Sequence, residues 1–411
     1  MRNGLRAAAV LGMLLGLCAT GHAADPPAGK RPAADDALPA PEARSAAIRR
    51  AIGFLDERLP RLPDAEGTPR KSFTEAVAGL VYLMDDATRA APPPLARLRA
   101  DLAAYVDRVT KAVADPEKLP PSYGLADSRF TVQYTWPVAE TALFFGELIA
   151  RGDRGKDAPE TLRKCVALLE AAQEENGGWG HGRIRPGVTS AAADGPMGLK
   201  LSYPSTLVAS TNAVASALGL VRGFSAGRGV QSLDKARAYY RAARLAAGNF
   251  PYDPSQRSSG ASAIDVGRTG GAVFAMHCLG MPQDTEFRQS AEYFLSHLAD
   301  AAEAHGSPAL SLAHAALACR ALGDEPFLRF RRTFEKRIVA AQDARGAFAC
   351  LCENRAFGVT CDSGPMNAGL FADAQEPYVT ALHTFALLLE RGNLKILGKP
   401  DAPAPVTPGG K

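Results

Sequence analysis

Residues 163–182 read RKCVALLEAAQEENGGWGHG. Val166, Leu168 and Leu169 form one apolar stripe at helical spacing, Gln173 stands a turn further on, and Gly177 and Gly178 break the helix just ahead of Trp179. One unit thus joins a helix end, a turn and an aromatic side chain. Looser copies lie further along the chain. Ala236–Phe250 ends in Gly248, Asn249, Phe250, and Phe334–Phe348 has Gln342 followed by Gly346, Ala347 and Phe348. Recurrence of one such unit predicts a repeating array of helix pairs.

Helical periods recur over 43–59, 73–89, 95–113, 136–152, 158–174, 205–222, 231–246, 266–280, 285–302, 308–322, 326–343 and 377–391. The even-numbered members of this series are rich in Ala, Gly, Ser and Thr and poor in charge, as in STLVASTNAVASALGLV and PALSLAHAALACRAL. They read as buried all round. The odd ones, such as SAAIRRAIGFLDERL, are charged on one side and read as an outer layer. Six small-residue helices inside six amphipathic ones predict an all-α fold, an α6/α6 toroid; a straight solenoid is the rival. Helix starts and stops support the division. Ser72 with Glu75 reads as a capping box, Pro137, Pro308, Pro326 and Pro377 suit first turns, and Gly152, Gly223, Gly280 and Gly323 suit helix ends.

Links from inner to outer helices are short, as at Met281–Asp284, whereas links from outer to inner helices are long, as at Glu175–Pro204 and Ala344–Glu376. The elaborated face is therefore the one bearing the inner N-termini. A mouth is expected there, with helix dipoles favouring an anionic or electron-rich ligand.

The ends of the chain read differently. Residues 1–23, MRNGLRAAAVLGMLLGLCATGHA, combine Arg2 and Arg6, an apolar core and a small-x-small site, which is the pattern of a secretory signal peptide. No segment is long and apolar enough to span a bilayer. Residues 24–42 read as a flexible linker, 43–394 as the toroid domain and 395–411 as a disordered tail. A secreted or periplasmic protein is expected. The formal charge of +4 over 411 residues is slight and scattered, so no nucleic-acid partner is implied. Cys165, Cys278 and Cys319 fall on apolar helical faces and read as core, whereas Cys350, Cys352 and Cys361 share one loop where a disulfide is plausible in an exported chain.

The glutamine, glycine and aromatic grammar of 163–182 resembles the QW repeats of the squalene cyclase and protein prenyltransferase superfamily. It covers about three of the six units such a fold carries. The resemblance implies a double ring of helices with any site in its central cavity. The residues those enzymes use for catalysis are missing. No Asp-x-Asp-Asp cluster is present to protonate an alkene, and Asp85 with Asp86, the nearest approach, reads as a solvated helix end. Prenyltransferases hold zinc with an Asp, a Cys and a His; here Cys350, Cys352 and Cys361 precede a helix carrying His383, but the Asp-x-Cys pairing is absent. Zinc, a disulfide and free thiols are the readings open for that loop, and no metal or cofactor is expected.

Tyr134, Trp136, Tyr203, Asp265, Arg268 and Tyr378 all lie close to inner-helix starts, so ring closure would gather them at the mouth as a ligand-binding group. Caps and ordinary packing are the plainer reading of the same residues. His277 and His314 read as core histidines and His181 as exposed. The function expected from the sequence is binding of an unknown small or apolar ligand, or a scaffold role. The alternative is an enzyme acting on an isoprenoid-like or glycan substrate, for which Asp265, Asp362, Asp373 and Glu376 are the candidate acids.

Overall fold

A computed structural model describes residues 37–62, 69–85, 93–114, 130–153, 155–180, 182–184, 206–225, 230–252, 254, 265–302, 308–351, 375–389 and 394–398. Among the described residues there are twelve α-helices: α1 Pro41–Arg58, α2 Pro69–Asp85, α3 Pro93–Ala114, α4 Thr135–Ala150, α5 Asp157–Ala171, α6 Val208–Val221, α7 Val230–Ala243, α8 Val266–Cys278, α9 Thr285–Ser296, α10 Pro308–Leu322, α11 Asp324–Ala340 and α12 Gln375–Leu388. A short antiparallel pair, β1 Phe130–Gln133 with β2 Gly182–Ile184, joins two of the connections. The signal-peptide segment, most of the linker, Tyr203, His181, Cys352, Cys361, Asp362 and Asp373 lie outside the described residues.

The even helices pack in the order α2, α4, α6, α8, α10, α12 and back to α2. The ring is closed. Odd helices lie outside it, each against an inner neighbour, and α1 touches both α11 and α12 across the seam. The expected toroid is therefore the observed architecture, and the open solenoid is excluded. Small residues make the inner ring possible. A Cβ on Gly79 would stand 2.6 Å from the Phe144 ring, one on Gly146 2.8 Å from Ile396, and one on Gly219 2.7 Å from the Cys278 carbonyl. Gly79 with Phe144, Gly146 with Val221, Gly219 with Cys278, Gly271 with His314 and Phe73 with Tyr378 join matching levels of successive inner helices, so the inner helices run parallel and share one N-terminal and one C-terminal face. Cys165, Cys278 and Cys319 are buried in this packing, and burial pushes their thiols far above the usual range.

The repeat units are the fasteners between successive pairs. In the first, Trp179 is fully buried and donates its indole N–H to Leu169 O at 2.7 Å, while its backbone N–H meets Thr211 Oγ1 of α6 at 2.9 Å. Gln173 donates to Gly177 O at 3.0 Å and to Ser232 O of α7 at 2.8 Å. The other two units use the same device. Phe250 N–H meets Thr269 Oγ1 of α8 at 3.2 Å, and Phe348 N–H meets Thr380 Oγ1 of α12 at 3.0 Å. Gln342 donates to Gly346 O at 3.1 Å and to Ala47 O of α1 at 2.8 Å, 295 positions away. The third unit thus closes the ring.

Two sequence expectations need correction. α2 begins at Pro69, so Ser72 and Glu75 are both buried inside the helix and form no capping box. Proline at the helix start lacks an N–H to satisfy, which lets the helix begin a turn earlier than the Ser-x-x-Glu pattern implied. The packed domain also runs past 394, into the tail expected to be disordered. Leu394–Gly398 carries a 3₁₀ turn at Lys395–Leu397, with Leu394 and Ile396 buried at the C-terminal face of the ring. We call this segment the stopper. Glu147, wholly buried near the end of α4, accepts Lys395 N–H at 2.9 Å and Ile396 N–H at 2.8 Å and pairs with Arg151 at 2.6 Å. A buried carboxylate with three donors is satisfied. Glu147→Gln should weaken the stopper by about 2 kcal/mol, seen in hydrogen exchange as lost protection of the Lys395 and Ile396 amides while the inner helices stay protected; unchanged protection would refute the clamp.

Candidate functional site

The axis of the ring is not fully packed. A cavity there is lined from every inner helix, by Leu80 of α2, Leu143 of α4, Leu220 of α6, Phe274 of α8, Leu317 of α10 and Phe385 of α12 among others. Leu394 and Leu397 of the stopper complete the lining at the C-terminal end. The free volume is about 30 Å³, room for roughly two waters. Its contour is set by leucine and phenylalanine side chains from the inner faces of helices that are also buried on their other sides.

Three polar side chains interrupt this lining: Glu140 of α4, Ser216 of α6 and His314 of α10. Their helices differ in position round the ring. With the order given above, α4 and α10 are diametrically opposed, so Glu140 and His314 approach the axis from opposite sides. Glu140 is only 8% exposed. It makes no hydrogen bond or ion pair with the described residues, in contrast to Glu147 two turns along the same helix. Burial without a compensating charge raises its carboxyl to about 7 from 4.5. Burial acts the other way on His314, lowering the imidazole to about 4, so it is neutral at physiological pH. Gly271 lets His314 in: a Cβ there would lie 2.9 Å from its Nδ1 and 2.7 Å from Asn212 Nδ2.

Of the residues expected at the mouth, Tyr203 is outside the described set. Asp265 and Arg268 do meet, as a buried ion pair at 2.6 Å. Arg268 also donates to Phe250 O at 3.3 Å and lies over the Tyr252 ring at 5.3 Å, and Asn249 donates to Asp265 Oδ2 at 3.3 Å. Desolvation lowers the Arg268 guanidinium from its ordinary value, opposed by Asp265. Asp265 occupies the N-cap position without a side-chain capping bond; its carboxylate serves Arg268 instead. Tyr134 is buried at the N-cap of α4, Trp136 donates its indole N–H to Ser210 Oγ of α6 at 2.6 Å, and Tyr378 packs on Phe73 of α2 at 5.5 Å. None of the five lines the axial cavity. Trp136, Tyr378 and the Asp265–Arg268 pair instead tie inner-helix starts to neighbouring segments.

Sequence reasoning missed Glu140 and placed His314 among ordinary core residues. A signal was present. In TWPVAETALFFGELIA, read as an inner helix, Glu140 and Glu147 are the only charged residues, and a charge on a helix buried all round needs a partner or a purpose. The cysteine loop is described only to Leu351; Cys350 is half-buried, and His383 is buried edge-on to Phe348 at 5.9 Å.

No family model matches this chain, and no curated protein matches it. Among solved structures it is similar to the type II terpene cyclase MstE from Scytonema in its apo form, with 14% identity over 85% of this chain and 98% of that one and a TM-score of 0.47. A variant of the same enzyme holding geranylgeranyl dihydroxybenzoate gives 13% identity over 84% and 97%, with a TM-score of 0.45. The toroid described above rests on the closed ring of helices itself.

Proposed function

We propose that this chain is an exported binding protein whose axial cavity takes an apolar molecule. The observation that carries the reading is the cavity itself, drawn from all six inner helices, apolar except for three polar groups among the described residues, and lined on one side by a short separate segment. Export rests on the signal-peptide pattern of residues 1–23. Ligand pockets for organic molecules typically run to about 300 Å³ and more, so a ligand of any length must displace Leu394 and Leu397. In this reading Tyr134, Trp136, Tyr203, Asp265, Arg268 and Tyr378 form the rim at the other end of the axis.

Binding is preferred to catalysis on chemical grounds. Protonating an alkene needs an acid stronger than an ordinary carboxyl, and burial makes Glu140 weaker. Hydrolysis of a glycosidic bond needs two carboxyls about 5 to 9 Å apart, and among the described residues the cavity lining contains one.

A homologous series of 1-alkanols titrated by calorimetry tests the reading. Each added methylene buried in the cavity should tighten binding about fourfold, the equivalent of about 0.8 kcal/mol, until the chain outgrows the axis. L394A/L397A should bind the longer members more tightly by enlarging the space. If neither wild type nor the double variant binds any alkanol, the axial cavity is not a ligand site.

A further inference from the structure

Resting on that reading, we propose that the natural occupant of the axial cavity is an aliphatic amine, with its ammonium group held by Glu140 and its chain along the leucine-lined axis. The argument begins with what the lining can offer. Among the described residues Glu140 is the only one there able to carry charge at neutral pH, because His314 is kept neutral by burial and the described lining contains no Lys or Arg. The cavity is therefore neutral or negative, never positive. An anionic head, whether carboxylate, phosphate or diphosphate, would meet no cation and would repel Glu140.

A cationic head meets several favourable groups. Glu140 has an acceptor carboxyl that no described residue uses, more than nine-tenths buried yet lining the free space. An ammonium has three donors and no acceptor, which suits Glu140 with Ser216 Oγ and the neutral His314 ring as acceptors. Phe274 and Phe385 add aromatic rings to the lining, and aromatic rings attract ammonium groups. The cavity also extends toward the C-terminal ends of the parallel inner helices, where the stopper lies.

The two glutamates of α4 sharpen the point. Glu147 is buried against backbone N–H groups and Arg151, so its negative charge is spent on holding the stopper. Glu140, seven positions earlier and on the same face, has no such partner. A lone buried carboxyl is costly to a fold unless something from outside completes it. A ligand ammonium does so without adding net charge to the interior.

The test uses the full chain and three probes with one eight-carbon chain: octylamine, 1-octanol and octanoate, titrated by calorimetry at pH 7.5 below their aggregation limits. Octylamine should bind at least tenfold more tightly than octanol, and octanoate should not bind. E140Q should bring octylamine down to the level at which the same variant binds octanol. Octanoate binding as well as octylamine, or an amine preference that survives E140Q, overturns the proposal while leaving apolar binding intact. Failure of all three probes overturns the cavity reading, and this inference with it.

Discussion

Gly346→Ala is expected to destabilise the protein by about 4 kcal/mol, the sum of a backbone strain of about 1 kcal/mol and an overpacking cost at the upper end of the usual range. Gly346 lies at φ +97°, where a side chain is strained, and a Cβ there would stand 2.3 Å from the carbonyl oxygen of Arg50. That oxygen belongs to the backbone of α1 and cannot rotate away. The two strands of chain are also held at this spot from both sides, by Gln342 reaching Ala47 O and by Arg50 reaching Gln342 Oε1 at 2.5 Å. The clash therefore falls on the seam that closes the ring. Gly152→Ala is the control. Its φ of +93° is close to that of Gly346, but a Cβ there meets nothing within 4 Å, so it should cost only the strain, about 1 kcal/mol. Urea denaturation of both variants decides the matter: equal losses would show that the seam yields, and that the third repeat is not the fastener described.

Stability should pass through a maximum near pH 6.5, and Glu140→Gln should remove its decline on the alkaline side. The Glu140 carboxyl titrates at about 7 folded against 4.5 unfolded. Between those values the folded state keeps a proton the unfolded state has lost, so this contribution is full below 4.5 and is lost as pH rises through 7. The loss amounts to about 3 kcal/mol over the whole interval at about 1.4 kcal/mol per pH unit, of which only the part above pH 6.5, about 0.7 kcal/mol, shows as the alkaline limb. His314 and His383 act with the opposite sign. Burial lowers both from 6.5 to about 4, so their contribution is full above 6.5 and is lost as pH falls through 4. Two histidines outweigh one glutamate between 4.5 and 6.5, which gives the rising limb. Denaturant midpoints from pH 5 to pH 8.5 measure the profile. An alkaline limb that persists in Glu140→Gln would assign it to another group.

The sequence alone determined the helix count, the alternation of inner and outer helices and the position of the three fastening turns. Each rests on a local property: apolar spacing, small residues where helices crowd, and glycine where the backbone turns left-handed. Ring closure was legible only as arithmetic, because its bonds join residues such as Gln342 and Ala47 that no local pattern links. The site was decided by tertiary structure. Glu140 and Glu147 stand on the same helix, on the same face, in equally apolar surroundings, and nothing nearby in the chain separates their roles. They differ because the stopper, nearly 250 positions on, delivers two backbone N–H groups to Glu147 and stops short of Glu140. Similarly, His314 lies in a helix that reads as plain core, and only the geometry of six helices round one axis turns it toward free space. Periodicity shows which face of a helix is buried, but whether that face meets side chains or a cavity depends on how the helices across the axis fill it.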